Sequence, residues 1–172
     1  SVANNHLDER YPLGVPDILD NAYVIVDFAN GQRAFLELCM FAEGAKYQEE
    51  ISVVGNKGKV ECFVPGPGRF WPKHLGDAPI PKLVLSPRTP KGPKELEVPV
   101  DPTLLAAGDH NGSTFYQHQR FNAVVRGEGA VEVTLRDGLA AVVMGLAAQQ
   151  SAATGEAISL TRGEFDLKAL LG

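Results

Sequence analysis

The feature that most constrains this chain is the stretch from Asn21 to Phe41. Asn21–Ala29 (NAYVIVDFA) is rich in β-branched and aromatic residues, Asn30-Gly31 follows, and Gln32–Phe41 (QRAFLELCMF) is again apolar. Asn-Gly between two such runs is a strong hairpin signal, because a two-residue type I′ turn needs positive φ at both central positions. With that turn, Phe28 is expected opposite Arg33, Val26 opposite Phe35 and Val24 opposite Glu37. One face then carries Val24, Val26, Phe28, Phe35 and Cys39. The other carries Tyr23, Ile25, Ala34, Leu36, Leu38 and Met40. Both faces are apolar, so both require cover, and helices supply it on one side only.

The rest of the first two-thirds continues in strands. Glu50–Val54 and Lys59–Val64 flank Gly55-Asn56-Lys57-Gly58 as a second hairpin. Residues 65–81, rich in Pro and Gly, read as a long ordered excursion. Lys82–Leu85 and Glu95–Val100 are short strands around a proline-laden connection. After Gly112 the period changes. Ser113 is expected to cap a helix running to about Arg126, with Gly127 as its stop. Thr134-Leu135-Arg136-Asp137 resembles a capping box with Asp in the third position. The helix it opens places Leu139, Val142, Val143, Leu146 and Ala147 on one face and ends at Gly155. Ile158–Leu160 is expected as a closing strand, and the tail as a helix or edge segment. Strands first and helices later predict an α+β fold: an open, predominantly antiparallel mixed sheet, helices on one face, and the other face an oligomer interface.

A length of 172 residues is a prior for one domain, here 1–172. A net charge of −5 and a pI of 5.4 argue against a nucleic-acid partner. No apolar run approaches the ~18–20 residues that span a bilayer, so no membrane partner is expected, and no secretory signal opens the chain. Cys39 and Cys62 form no zinc knuckle or disulfide framework and read as small buried hydrophobes. The expected location is the cytoplasm.

The common chemical motifs are missing. Gly66-Pro67-Gly68 and Gly127-Glu128-Gly129 lack the third glycine of a dinucleotide fingerprint. There is no P-loop, no H-E-x-x-H, no C-x-x-C and no G-x-S-x-G. The densest polar cluster is Gly108–His118 (GDHNGSTFYQH), with His110, Asn111, Tyr116 and His118. Its bland reading is a helix-entry loop, since Asp109 and Asn111 are turn formers. Its alternative is a substrate-facing wall. His6, beside Asp8 and Glu9, is either a solvated loop residue or a ligand-binding one. Asp8, Asp17 and Asp20 read as solvated turn residues, although a carboxylate pair could serve acid–base work. His74 reads as structural.

Three stretches resemble the C-terminal domain of the Gfo/Idh/MocA oxidoreductases (glucose–fructose oxidoreductase, inositol dehydrogenase and the rhizopine-catabolism protein MocA). They are Asp20-Asn21-Ala22 with Phe28-Ala29-Asn30-Gly31; Glu50-Ile51 through Gly55 to Gly58-Lys59-Val60-Glu61; and Phe121–Gly127, Val133, Asp137-Gly138-Leu139 and Ser151–Gly155. Their order and spacing cover roughly residues 18–160. The resemblance implies a parent with an N-terminal Rossmann domain for NAD or NADP, a small-molecule substrate and a homo-oligomer joined through the sheet face. It also implies that the family's E-K-P lysine and D-x-x-x-H segment lie upstream of Ser1. This chain is therefore expected to be a fragment, to bind no cofactor alone and to hold no catalytic residue or metal. Its expected role is the substrate and assembly half of an enzyme moving hydride between NAD(P) and a sugar or polyol. Under that reading His6, His110, Asn111, Tyr116 and His118 line the substrate. The competing readings are a non-catalytic carbohydrate-binding or dimerisation module, and a self-contained hydrolase or lyase. The last has no nucleophile paired with a base.

Overall fold

A computed structural model describes residues 20–42 and 44–171. The described residues form two compact units. Among the described residues, the first is built from 20–41 and 131–171, the second from 42 and 44–130. The composition of elements is α+β, with every strand pair antiparallel. No helix among the described residues is long and apolar enough to cross a membrane.

In the first unit, β1 (Asn21–Asp27) pairs with β2 (Arg33–Cys39) as a two-stranded hairpin. Its register differs by one residue from the two-residue turn expected. Asp27 lies opposite Arg33, Ile25 opposite Phe35 and Tyr23 opposite Glu37. The physical reason is the turn. The Gly31 N–H donates to the Phe28 carbonyl and the Phe28 N–H to that of Gln32, which encloses a three-residue loop. Gly31 alone takes positive φ, at 83°, while the Asn30 side chain accepts from the Gln32 N–H at 3.1 Å. A type I turn followed by a left-handed glycine replaces the type I′ turn. The slip exchanges which residues share a face. Ala22, Val24 and Val26 are half-buried, whereas Tyr23, Ile25 and Phe35 share the exposed face. That face is partly polar. The Tyr23 and Phe35 rings stack at 5.8 Å, the Tyr23 hydroxyl donates to Glu37, and Arg33 pairs with Asp27. Cys39 is exposed and Cys62 half-buried, so neither is the fully buried small hydrophobe expected.

The same unit holds α3 (Leu135–Thr154), whose start is the expected capping box. The Asp137 N–H donates to Thr134 Oγ1, and Thr134 N–H to the Asp137 carboxylate at 2.8 Å. The core seam is rotated from the expected one. Val143 and Ala147 are 4% and 5% exposed, with Ala140 and Met144 half-buried beside them, while Leu139, Val142 and Leu146 face outward. Residues 158–160 form no strand. The Leu160 carbonyl instead accepts from the Leu167 N–H, which docks the final helix, α4 (Leu167–Leu171), onto the turn after α3.

The second unit is a four-stranded sheet in the order β3-β4-β5-β6: Glu49–Gly55, Gly58–Val64, Lys82–Pro87 and Lys94–Glu97. β4 and β5 are central and half-buried; β3 and β6 are exposed edges. The excursion between β4 and β5 contains two short 3-10 turns, Gly68–Phe70 and Lys73–Leu75. After β6 come α1 (Pro102–Ala107), which the sequence pattern did not signal, and α2 (Ser113–Val125). α1 begins conventionally, with Pro102 in its first turn and Asp101 accepting from the Thr103 N–H at 2.8 Å. Those bonds hold the Asp101 carboxyl below the usual carboxylate range. α2 starts one residue off expectation: Gly112 occupies the cap position and Ser113 is already helical, with no side-chain cap bond.

Candidate functional site

The segment joining α1 to α2 has unusual backbone. Gly108 is extended, then His110, Asn111 and Gly112 take φ of 59°, 51° and 81° in succession. His110 and Asn111 are the described non-glycine residues with positive φ. Such a conformation strains a residue bearing a Cβ and persists only where surrounding contacts over-determine it.

Three contacts do so, from three parts of the second unit. Arg69, in the first 3-10 turn, forks onto Asp109, with Nη2 to Oδ2 at 2.9 Å and Nη1 on Oδ1. His110 Nδ1 lies 3.1 Å from Glu49 Oε1 at the start of β3. The Asn111 side-chain amide donates to the carbonyl of Pro65, just past β4, at 2.9 Å. Gly112 is buried against Val100 and Leu104. A run of three left-handed residues is thereby tied to the sheet and to the excursion at once.

The electrostatics follow from these bonds. The Arg69 guanidinium beside Asp109 holds its carboxyl below the usual range, opposed by desolvation and aided by the nearby His110. The Arg69 guanidinium is in turn held more firmly protonated, chiefly by its hydrogen bond to Asp109. The same guanidinium sits 4.5 Å over the ring of Phe70. With Nδ1 committed to Glu49, His110 Nε2 is the ring nitrogen left for a ligand. His110 and Glu49 are half-exposed, at 52% and 47% of their side chains. The cluster can therefore exchange hydrogen bonds with hydroxyl groups.

The sequence-predicted residues separate at this point. His110 and Asn111 are drawn into one anchored loop. Tyr116 and His118 lie on α2, two residues apart, which at about 100° per residue points them to opposite sides. Tyr116 packs edge-on to Phe115 at 5.5 Å, and His118 is exposed. His6, with Asp8 and Asp17, lies outside the described residues. Asp20 is buried rather than solvated and accepts from the Asn21 side chain at 2.7 Å. His74 is exposed in the second 3-10 turn. Sequence reasoning missed Glu49, Arg69 and Phe70. Glu49 stands 61 positions from His110 and Arg69 stands 40 from Asp109, with Phe70 beside Arg69, and only tertiary structure brings such separations together.

The first unit carries a separate open pocket of ≈ 340 Å³, lined mainly by Val26, Phe28, Met144, Leu160 and Leu167. Asp27, Thr161, Asp166 and Lys168 share its wall with those apolar side chains, so hydrogen-bonding groups are present at this pocket as well. The described residues also form no dinucleotide cradle. All strands pair antiparallel, and Gly66-Pro67-Gly68 runs into a three-residue turn rather than the N-terminus of a long helix.

Comparison with known families matches residues 1–160 to the profile described as oxidoreductase family, C-terminal alpha/beta domain (Gfo/Idh/MocA). A search of curated proteins gave no match.

Proposed function

Given that the chain belongs to the Gfo/Idh/MocA oxidoreductase family, as its C-terminal alpha/beta domain, we propose that it is the substrate-side and assembly domain of a dehydrogenase acting on a sugar, polyol or related alcohol. The observation that carries this reading is the anchored loop at 109–112, where strained backbone, an Asp–Arg fork and a Glu-oriented histidine converge on one exposed ledge. Polar groups preorganised this way bind hydroxyls without the cost of ordering flexible side chains.

In this reading the division of labour is strict. NAD or NADP would supply hydride chemistry from a nucleotide-binding domain, since the residues described here do not fit a dinucleotide. This domain's residues bind and orient. His110, through Nε2, and Asn111, by fixing the loop, hold the substrate; Glu49 sets the histidine tautomer. Assembly would use the apolar strand faces, where Ile51 and Val53 on β3 and Ile25 and Phe35 on the hairpin are exposed. The free state of Cys39 and Cys62 fits a reducing cytoplasm.

The test is steady-state kinetics of the dehydrogenase that contains this domain. His110→Ala is expected to raise KM or lower kcat for its alcohol substrate. An unchanged kcat/KM would refute the placement.

A further inference from the structure

We propose that one end of the four-stranded sheet docks a short acidic peptide segment of a partner protein. This surface is separate from the 109–112 ledge and does not depend on what that ledge holds. Two loops meet there. The turn at 55–58 joins β3 to β4, and residues 88–93 join β5 to β6. Pairing of Gly58 with Pro87 and of Leu85 with Lys94 puts both loops at the same end. The Arg88 N–H donates to the Lys57 carbonyl at 2.8 Å and ties them together.

The charge of this end is one-sided. Stretches 55–60 and 86–94 carry Lys57, Lys59, Arg88, Lys91 and Lys94, and no Asp or Glu. Lys59 is paired with Glu61 at 2.7 Å. The other four are exposed, and among the described residues none of them has a carboxylate within ion-pair distance. Four uncompensated cations thus stand together on a chain whose net charge is −5. A single exposed ion pair contributes little, so recognition here needs several acting together, as a run of acidic side chains provides.

Shape and surroundings narrow the partner. Three strand spacings separate β3 from β6, about 15 Å, the span of four or five extended residues. Val54, just before the turn, is 73% exposed and pairs with Lys59. An apolar side chain among cations rewards a peptide carrying both acidic and apolar residues over a free anion. Pro90 and Pro93 restrict the connection, so less backbone has to be ordered on docking. Nucleic acid and anionic membranes spread negative charge well beyond this end, where it would meet the acidic remainder of the chain. Glu49 and Pro65, which anchor the 109–112 loop, lie at the opposite end of the sheet, so docking leaves the ledge open.

The experiment is fluorescence anisotropy of a labelled EELEE pentapeptide titrated with this chain at about 50 mM and about 500 mM salt. A KKLKK peptide, a short DNA duplex, phosphatidylserine vesicles and inorganic tripolyphosphate are the comparison probes. EELEE is expected to bind saturably at low salt and about tenfold more weakly at high salt. The double variant Arg88→Glu/Lys91→Glu is expected to weaken it about tenfold, the loss of two ion pairs. Lys46→Glu/Lys73→Glu makes the same change of net charge away from this end and should shift binding less than about twofold. Circular dichroism checks the fold of each variant, and Lys57→Glu/Lys94→Glu replaces the first pair if that one unfolds. Absence of saturable EELEE binding, or equal weakening by the two double variants, overturns the proposal. So does KKLKK, the duplex, the vesicles or tripolyphosphate binding as tightly as EELEE.

Discussion

Replacing Gly112 by Ala isolates the element on which the ledge depends. Gly112 sits at φ 81° in the cap position of α2, and it is buried. A Cβ there meets Leu104 Cδ1 at 3.3 Å and Val100 Cγ1 at 3.4 Å. Two costs add. Placing a residue with a Cβ in the left-handed region costs about 1–2 kcal/mol. The added methyl also requires Leu104 and Val100 to yield by a few tenths of an ångström, a mild overpacking that brings the total to about 2 kcal/mol. For a chain of this size that lowers Tm by roughly 4–8 °C. Gly108, four positions earlier, is the internal control. It is extended, with φ 180°, and a Cβ there meets nothing within 4 Å. Gly108→Ala is therefore expected to be neutral or to stabilise by about 0.4–1 kcal/mol through the unfolded chain. Scanning calorimetry of the two variants beside the parent reads the difference. Equal Tm values for Gly112→Ala and Gly108→Ala would refute the account of the strained loop.

Removing the capping box tests the first unit: Thr134→Ala is expected to cost about 1 kcal/mol, read as a lower urea midpoint at unchanged slope. The same box carries a pH signature. Hydrogen bonds from Thr134 hold the Asp137 carboxyl below its ordinary value, so its stabilisation is present above the unfolded carboxylate pKa of about 3.9 and is lost as pH falls through the lower folded value. The gap in urea midpoint between parent and Thr134→Ala should accordingly shrink in acid; a gap that widens there contradicts the assignment. Val143→Ala removes buried methyls from α3 and is expected to cost about 2 kcal/mol, whereas Val142→Ala on the outward side should change stability by less than about 0.5 kcal/mol. Sedimentation should show a dimer or larger species at micromolar concentration, and a monomer would contradict assembly through the apolar strand faces.

Much of the local structure was legible because local signals determined it. Thr134 and Asp137 announce their capping box from three positions apart, and the 55–58 segment sets the second hairpin by itself. The hairpin at Asn30-Gly31 was legible in kind but not in register. Asn-Gly suits both a two-residue type I′ loop and a three-residue loop with Gly31 left-handed, and the two differ by one residue of pairing. On α3, alternatives offset by one position are nearly equal in hydrophobicity. Of the face read from the sequence, packing buried Val143 and Ala147 and left Leu139, Val142 and Leu146 outside, a choice that depends on neighbours far away in sequence. The site divides the same way. Composition around Gly112 marked His110 and Asn111, but Glu49, Arg69 and Phe70 acquire meaning only when strand pairing and the excursion carry them to that loop. Tyr116 and His118 share the sequence cluster but point to opposite sides of α2, because helical rotation separates neighbours that a linear reading groups together.

On the proposed reading, this domain holds the alcohol substrate at the 109–112 ledge and another domain holds the nucleotide. Amide chemical-shift mapping of the isotopically labelled chain tests both halves in one experiment, with myo-inositol or methyl β-D-glucopyranoside as one titrant and NADH as the other. The account predicts saturable shifts confined to residues around Glu49, Arg69–Trp71 and Asp109–Gly112 with a sugar or cyclitol ring, and no saturable shifts with NADH. Saturable NADH shifts, or ring-induced shifts that avoid the ledge, would contradict it.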